Sequence, residues 1–154
     1  QAASVAALQE GSAEREAMRA AFEQRSHLVV AGLRAIPGLH CEAPAGAFYA
    51  FPSLGPYLGK TDPVTGRRIE NGDDLAEVLL EVDRVSCIGG GAFGKADAIR
   101  LSFAASESVL NEALTRISAR LSALIRIEPD HPDSVADSHD LFSLLALRSG
   151  ALRD

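Results

Sequence analysis

The sequence predicts an α/β or α+β layer in which helices pack on one side of a small mixed sheet. Two observations carry this. Segments with apolar residues every three to four positions alternate with short segments of strand character, in the order helix, strand, strand, helix, strand, strand, helix. The composition agrees, because 154 residues with 47% hydrophobic and 23% charged side chains match an ordinary globular domain. A chain of this length buries enough surface to need neither disulfides nor a metal, and collagen, coiled-coil and disordered classes are excluded.

Each element has a local cause. Small and apolar residues fill 2–8, Gly11 interrupts them, and Ser12 is a candidate N-cap with Glu14 and Glu16 at the positive end of the helix dipole. The long helix that follows should turn Met18, Ala21, Phe22, Leu28, Ala31 and Ile36 inward and Glu14, Arg15, Arg19, Glu23 and Arg25 outward, until Pro37-Gly38 stops it. Leu39 to Glu42 is a short strand candidate. Pro44-Ala45-Gly46 turns the chain into the aromatic strand Ala47 to Phe51, which Pro52 closes. Residues 53–72 hold Gly55-Pro56, Gly59, Pro63, Gly66 and Asn71-Gly72, a density of turn formers that predicts loop.

Asp73 or Asp74 then opens a helix with Leu75, Val78, Leu79 and Val82 on one side. Val85 to Ile88 is a short strand candidate, and Gly89-Gly90-Gly91 with Gly94 impose a loop able to adopt backbone angles closed to other residues. Ile99 to Phe103 alternates strictly. Ile99, Leu101 and Phe103 should face the core, leaving Arg100 and Ser102 on the other face. Ser106 caps a last helix with Val109, Leu110, Ala113, Leu114, Ile117 and Leu121 inward. Beyond Ile127 the residues read as a linker, with one short helix over 141–147.

The net charge of −6 and a pI near 5.2 argue against a nucleic acid or an anionic membrane as the main partner. Four of those six charges lie in the tail, where Glu128, Asp130, Asp133, Asp137, Asp140 and Asp154 face only Arg148 and Arg153. Cys41 and Cys87 have no His or Cys at a metal-ligand interval, so two free thiols in a reducing cytoplasm are expected. His27, His40, His131 and His139 stand apart and receive no role. No apolar run approaches the roughly 20 residues that cross a bilayer. Gln1 to Leu8 lacks an initiator Met and reads as a helix already under way, so a piece of a longer protein is expected.

Four stretches in order carry a family resemblance. They are Arg25 to Leu33 running to Ile36-Pro37-Gly38, Pro44 to Pro52, Gly91-Ala92-Phe93-Gly94, and Ile99-Arg100-Leu101-Ser102-Phe103-Ala104. Together they resemble the C-terminal small domain of fold-type-I, aspartate aminotransferase-like aminotransferases of class I/II. The resemblance implies that residues 1–11 end a preceding large-domain segment, that 12–126 form the small domain of the pyridoxal-phosphate transferase fold, and that 127–154 are an acidic extension past the usual end. It departs from the family at Gly91, where a serine is common.

By this resemblance, the protein moves an amino group between an L-amino acid and a 2-oxo acid using pyridoxal 5′-phosphate, as a cytoplasmic homodimer. The same resemblance gives Arg100 the substrate α-carboxylate, and the chemistry agrees. A guanidinium is planar, permanently charged and forked, so it grips a carboxylate with two parallel hydrogen bonds and fixes the substrate's orientation. The plainer reading of Arg100 is a strand arginine paired with an acid on its own sheet face. For Gly89 to Gly94 the plainer reading, a turn between strands, is preferred over a loop at a cleft; no Walker-type ending follows it. Phe48, Tyr49 and Phe51 are read as core, although Tyr49 is within reach of a cleft.

The family's Schiff-base lysine has no counterpart here. Lys60 and Lys95 each follow a glycine in a loop, outside the serine-lysine setting the family uses, so this chain should contain no catalytic residue and be inactive alone. The cofactor would be held mainly by sequence outside these residues, in the large domain of the same protein. Two other classes fit the same residues: an aminotransferase-like effector domain of a transcription regulator, and a non-catalytic truncated remnant.

Overall fold

The computed structural model describes residues 1–9 and 11–126; the expected tail and its 141–147 helix lie outside the described residues. Among the described residues four helices occur, α1 (Ala2–Gln9), α2 (Ser12–Arg34), α3 (Gly72–Glu81) and α4 (Glu107–Ala123), with strands β1 (Tyr49–Ala50), β2 (Ile88–Gly89) and β3 (Ile99–Ser102). The strands form one sheet in the order β1-β3-β2. Both pairings are antiparallel, with Tyr49 opposite Ser102 and Ile88 opposite Arg100. The mixed sheet expected from the sequence is therefore corrected to an antiparallel one. β1 and β2 run the same way, but β3 lies between them, so no parallel ladder forms.

The helices cover one face. Ile99, Leu101 and Phe103 from β3 and its end pack with Ala50 against Val30 and Leu33 of α2, Leu75 and Leu79 of α3, and Ile117 and Leu121 of α4. All ten are under a tenth exposed, so their burial supplies the main stabilisation of the layer. The alternation of β3 holds as read.

Three local expectations change. Ser12 is the first residue of α2 rather than its cap, and Gly11 at the N-cap makes no side-chain bond. The fully buried residues of α2 begin at Val29, Val30 and Leu33, with Phe22 and Leu28 half-buried against the same core, while Met18 is 56% exposed and Ala31 is also exposed. The start of α3 moves back to Asn71, whose side chain accepts from the Asp73 and Asp74 N–H groups while Asp74 accepts from the Asn71 N–H. That reciprocal box satisfies donors left over at the helix start. Ser106 does cap α4, accepting from the Val109 N–H at 3.4 Å.

The segment 53–72 is more ordered than its turn formers suggest. It holds a 3-10 turn at Gly55–Tyr57 and a Thr61–Arg68 bridge, and it is tied down by a buried charge cluster. Asp62 is fully buried and accepts from the Thr65 N–H, the Thr65 hydroxyl and Arg120 Nη1, each at 2.8 Å. Arg120 also grips Asp83 with two bonds, from Nε at 2.8 Å and Nη2 at 3.1 Å. Burial alone would raise the Asp62 carboxyl, but the Thr65 and Arg120 donors outweigh it and hold the group below its usual value. The bonds to Asp83, then those to Asp62, hold the Arg120 guanidinium above its ordinary value despite burial.

Candidate functional site

Arg100 sits in the middle strand on the face away from the helices. The β1–β3 register extends beyond the strand ends, since the Phe103 N–H donates to the Phe48 carbonyl at 2.8 Å and the Ile99 N–H to the Pro52 carbonyl at 3.2 Å. This register sets Phe51 opposite Arg100 and Tyr49 opposite Ser102, all four on the face away from the helices. On the other side Ile88 faces Arg100 and is 46% exposed. The three aromatics read as core are thus corrected: Phe48 and Tyr49 are 53% and 38% exposed, and Phe51 is half-buried. Ala50 takes the inward position between the last two, which a two-residue period requires.

The guanidinium of Arg100 lies over two rings, its Cζ 4.3 Å from the Phe93 centroid and 5.1 Å from that of Tyr49. Among the described residues it makes no ion pair, whereas Arg19, Arg67, Arg68, Arg116 and Arg120 all meet acids. The acid-paired strand arginine is not what the geometry shows. Its neighbours across the sheet are Ile88 and the aromatic strand, and the rings against it are Phe93 and Tyr49.

The glycine loop places one of those rings. Gly89 has no room for a Cβ, which would collide with the Asp73 carboxylate and stand 2.7 Å from the Asp73 Cα. The chain therefore leaves β2 hard against the start of α3 and enters a 3-10 turn, Gly90–Phe93, closed by Gly94 at φ 76°. A left-handed closing residue strains any side chain, so glycine suits it. The loop is a strand-to-strand turn as preferred from sequence, and it also carries Phe93 to Arg100.

Cavities lie away from this face. One of about 330 Å³ runs beside α4 and is lined by Val29, Leu101, Leu110, Ala113 and Leu114; a second of about 480 Å³ lies between Phe22, Ser26 and His27 of α2 and residues 43–48. Neither includes Arg100, Lys60 or Lys95. The Lys60 ammonium lies 4.9 Å from the Tyr57 ring and that of Lys95 lies 6.0 Å from the Phe51 ring, and neither has a carboxylate partner among the described residues. Cys41 and Cys87 are free thiols; burial pushes Cys87 up to about 12, which makes it a poor nucleophile, and also raises Cys41. The described residues contain no cluster able to hold a metal and no helix long and apolar enough to cross a membrane.

The fold thus defines a helix-backed antiparallel sheet whose open face carries a cation that meets no counter-ion among the described residues. Comparison with known proteins gives that description a family. The model for "Aminotransferase class I and II" matches residues 1–117, and the chain belongs to that family. It is 44% identical over 124 residues to an aspartate aminotransferase of Rhizobium meliloti (strain 1021), covering 80% of this chain and 30% of that protein. It is also 44% identical over 96 residues to a probable aspartate/prephenate aminotransferase of Rhizobium leguminosarum bv. phaseoli, covering 62% of this chain and 24% of that one. The crystal structure of the Rhizobium meliloti aspartate aminotransferase superposes with a TM-score of 0.74 at 43% identity over 80% of this chain and 30% of its own. An aromatic aminotransferase from Pyrococcus horikoshii gives 0.61 at 32% identity over 74% of this chain and 28% of its own. The chain spans about a third or less of the length of the relatives it matches.

The family implies pyridoxal phosphate as cofactor. The described residues do not fit as its holder, because that group needs a lysine amine, a carboxylate and phosphate donors in one cleft, and both lysines lie over aromatic rings without such neighbours. What these residues offer is a fixed, permanently charged fork on an open sheet face.

Proposed function

We propose that this chain is the small-domain part of a pyridoxal-phosphate-dependent aminotransferase that moves an amino group between an L-amino acid and a 2-oxo acid, and that Arg100 grips the substrate's α-carboxylate. The observation that carries the reading is the Arg100 guanidinium, flanked by Phe93 and Tyr49 and meeting no acid among the described residues. A carboxylate arriving there would be the counter-ion the fold leaves out, held by charge-assisted bonds on an arm that β3 keeps from swinging. In this reading residues 12–126 are the small domain, 1–11 the end of the preceding large-domain segment and 127–154 an extension. The lysine that bonds the cofactor belongs to the part of the relatives that this chain does not span. The two free cysteines suit a reducing cytoplasm, and a homodimer is the assembly the resemblance implies. The relatives named above are all aminotransferases, so the regulator and remnant readings are set aside.

In the complete protein, Arg100→Lys should lower kcat/KM for amino acid and 2-oxo acid alike by about a hundredfold, about 2–3 kcal/mol, because an ammonium retains charge but loses the fork. Steady-state kinetics with both half-substrates check this, and an unchanged kcat/KM rejects the role. The 154-residue chain alone, supplied with pyridoxal phosphate and both substrates, should transfer no amino group; measurable product by chromatography would contradict the division of labour.

A further inference from the structure

We propose that Phe93 is the positioning residue of Arg100, an inference that rests on the carboxylate reading of that arginine and adds to it a device that orients the fork. Its ring lies 4.3 Å from the guanidinium carbon, nearer than Tyr49 at 5.1 Å, and meets Phe51 edge-on at 6.1 Å and 89°. A guanidinium attracts a ring through its flat face and binds a carboxylate through its N–H edges, so the two contacts use different parts of one group and coexist. The ring therefore holds the plane of the fork while its edges stay available.

Arginine is long and rotamer-rich, and gripping a ligand freezes it. A ring that restrains it beforehand removes part of that cost from binding. Backbone bonds give the restraint its stiffness. The Gly90 N–H donates to the Ala98 carbonyl at 2.7 Å and the Lys95 N–H to the Gly90 carbonyl at 3.0 Å, which ties the turn carrying Phe93 to the residue just before β3. Phe93 and Arg100 are thus anchored to one strand and keep their spacing. Phe93 is 46% exposed and absent from the hydrophobic core, so its removal should trim the site without emptying the interior.

The experiment uses the complete protein and succinate, a dicarboxylate with no amino group to transfer, as the binding probe in titration calorimetry. Phe93→Leu should weaken succinate about tenfold and lower kcat/KM by a similar factor, mostly through KM, with Tm unchanged. Phe93→Tyr keeps a ring and should stay within about twofold of the parent. In an Arg100→Lys background, Phe93→Leu should add less than about twofold, since the fork it orients is already gone. If Arg100→Lys weakens succinate and Phe93→Leu does not, the positioning role is overturned while the carboxylate reading stands. Full additivity of the two changes overturns the positioning role too, and if neither change affects succinate the carboxylate reading itself fails.

Discussion

Arg120→Met should lower the unfolding free energy of this chain by about 3–5 kcal/mol, the usual cost of stranding one member of a buried ion pair. The reason is Asp62, which has no exposed side-chain surface and relies on Arg120 Nη1 at 2.8 Å as its only cationic partner among the described residues. Asp83 is less at risk, being 14% exposed. The loss is read as a fall in urea midpoint at constant slope. Adding Asp62→Asn should recover part of it by removing the stranded charge, and a loss under about 1 kcal/mol would show that water reaches the pair. Acid titration is a second readout. The folded Asp62 value is depressed, so its stabilisation is complete above the ordinary carboxylate range near about pH 4 and is lost as pH falls through the lower folded value. The raised Arg120 value acts only in strong alkali, so it leaves this acid limb untouched. Arg120→Met should flatten that limb.

Gly72→Ala should cost about 3 kcal/mol or more, through overlap with backbone that has nowhere to go. A methyl group there would sit inside the contact distance of the Ala98 carbonyl oxygen, 2.8 Å from its carbon and 3.2 Å from the Gly90 nitrogen. Those atoms are not free to yield. The Gly90 N–H donates to that same carbonyl at 2.7 Å, and the Gly72 N–H donates to the Ala96 carbonyl at 2.7 Å. Relief would mean pulling the start of α3 off the sheet, with the Asn71–Asp74 cap beside it. Hydrogen exchange should show the loss concentrated at α3 and the 90–98 loop, whereas an alanine variant melting with the parent would reject the clash.

Several features were legible in the residues because their causes are local. The alternation Ile99, Leu101, Phe103 needs only the two-residue period of a strand, and the cap at Ser106 needs only a hydroxyl before a periodic apolar run. The four motif stretches likewise led to a family that the matches bear out. The charge cluster was not legible. Arg120 stands between Ile117 and Leu121, where a one-dimensional pattern reads a cation as the edge of the apolar face, and its partner Asp62 lies 58 residues away in a segment that looked like loop. Phe93 was hidden for a similar reason. Nothing near it in sequence shows that a 3-10 turn will bring its ring over a strand residue seven positions later.

By itself, the sequence determined the order of the main helices, the two-faced central strand that turns Arg100 away from the core, and membership in an aminotransferase family. Tertiary structure alone decided that the sheet is antiparallel throughout, that Tyr49 and Phe51 share the face of Arg100, and that the buried arginine is Arg120. Periodicity and capping act within a few residues along the chain, and so leave a trace in the order of letters. Register, burial of charge and ring-over-cation contacts depend on which distant segments meet, and that is set by the packing of the whole layer.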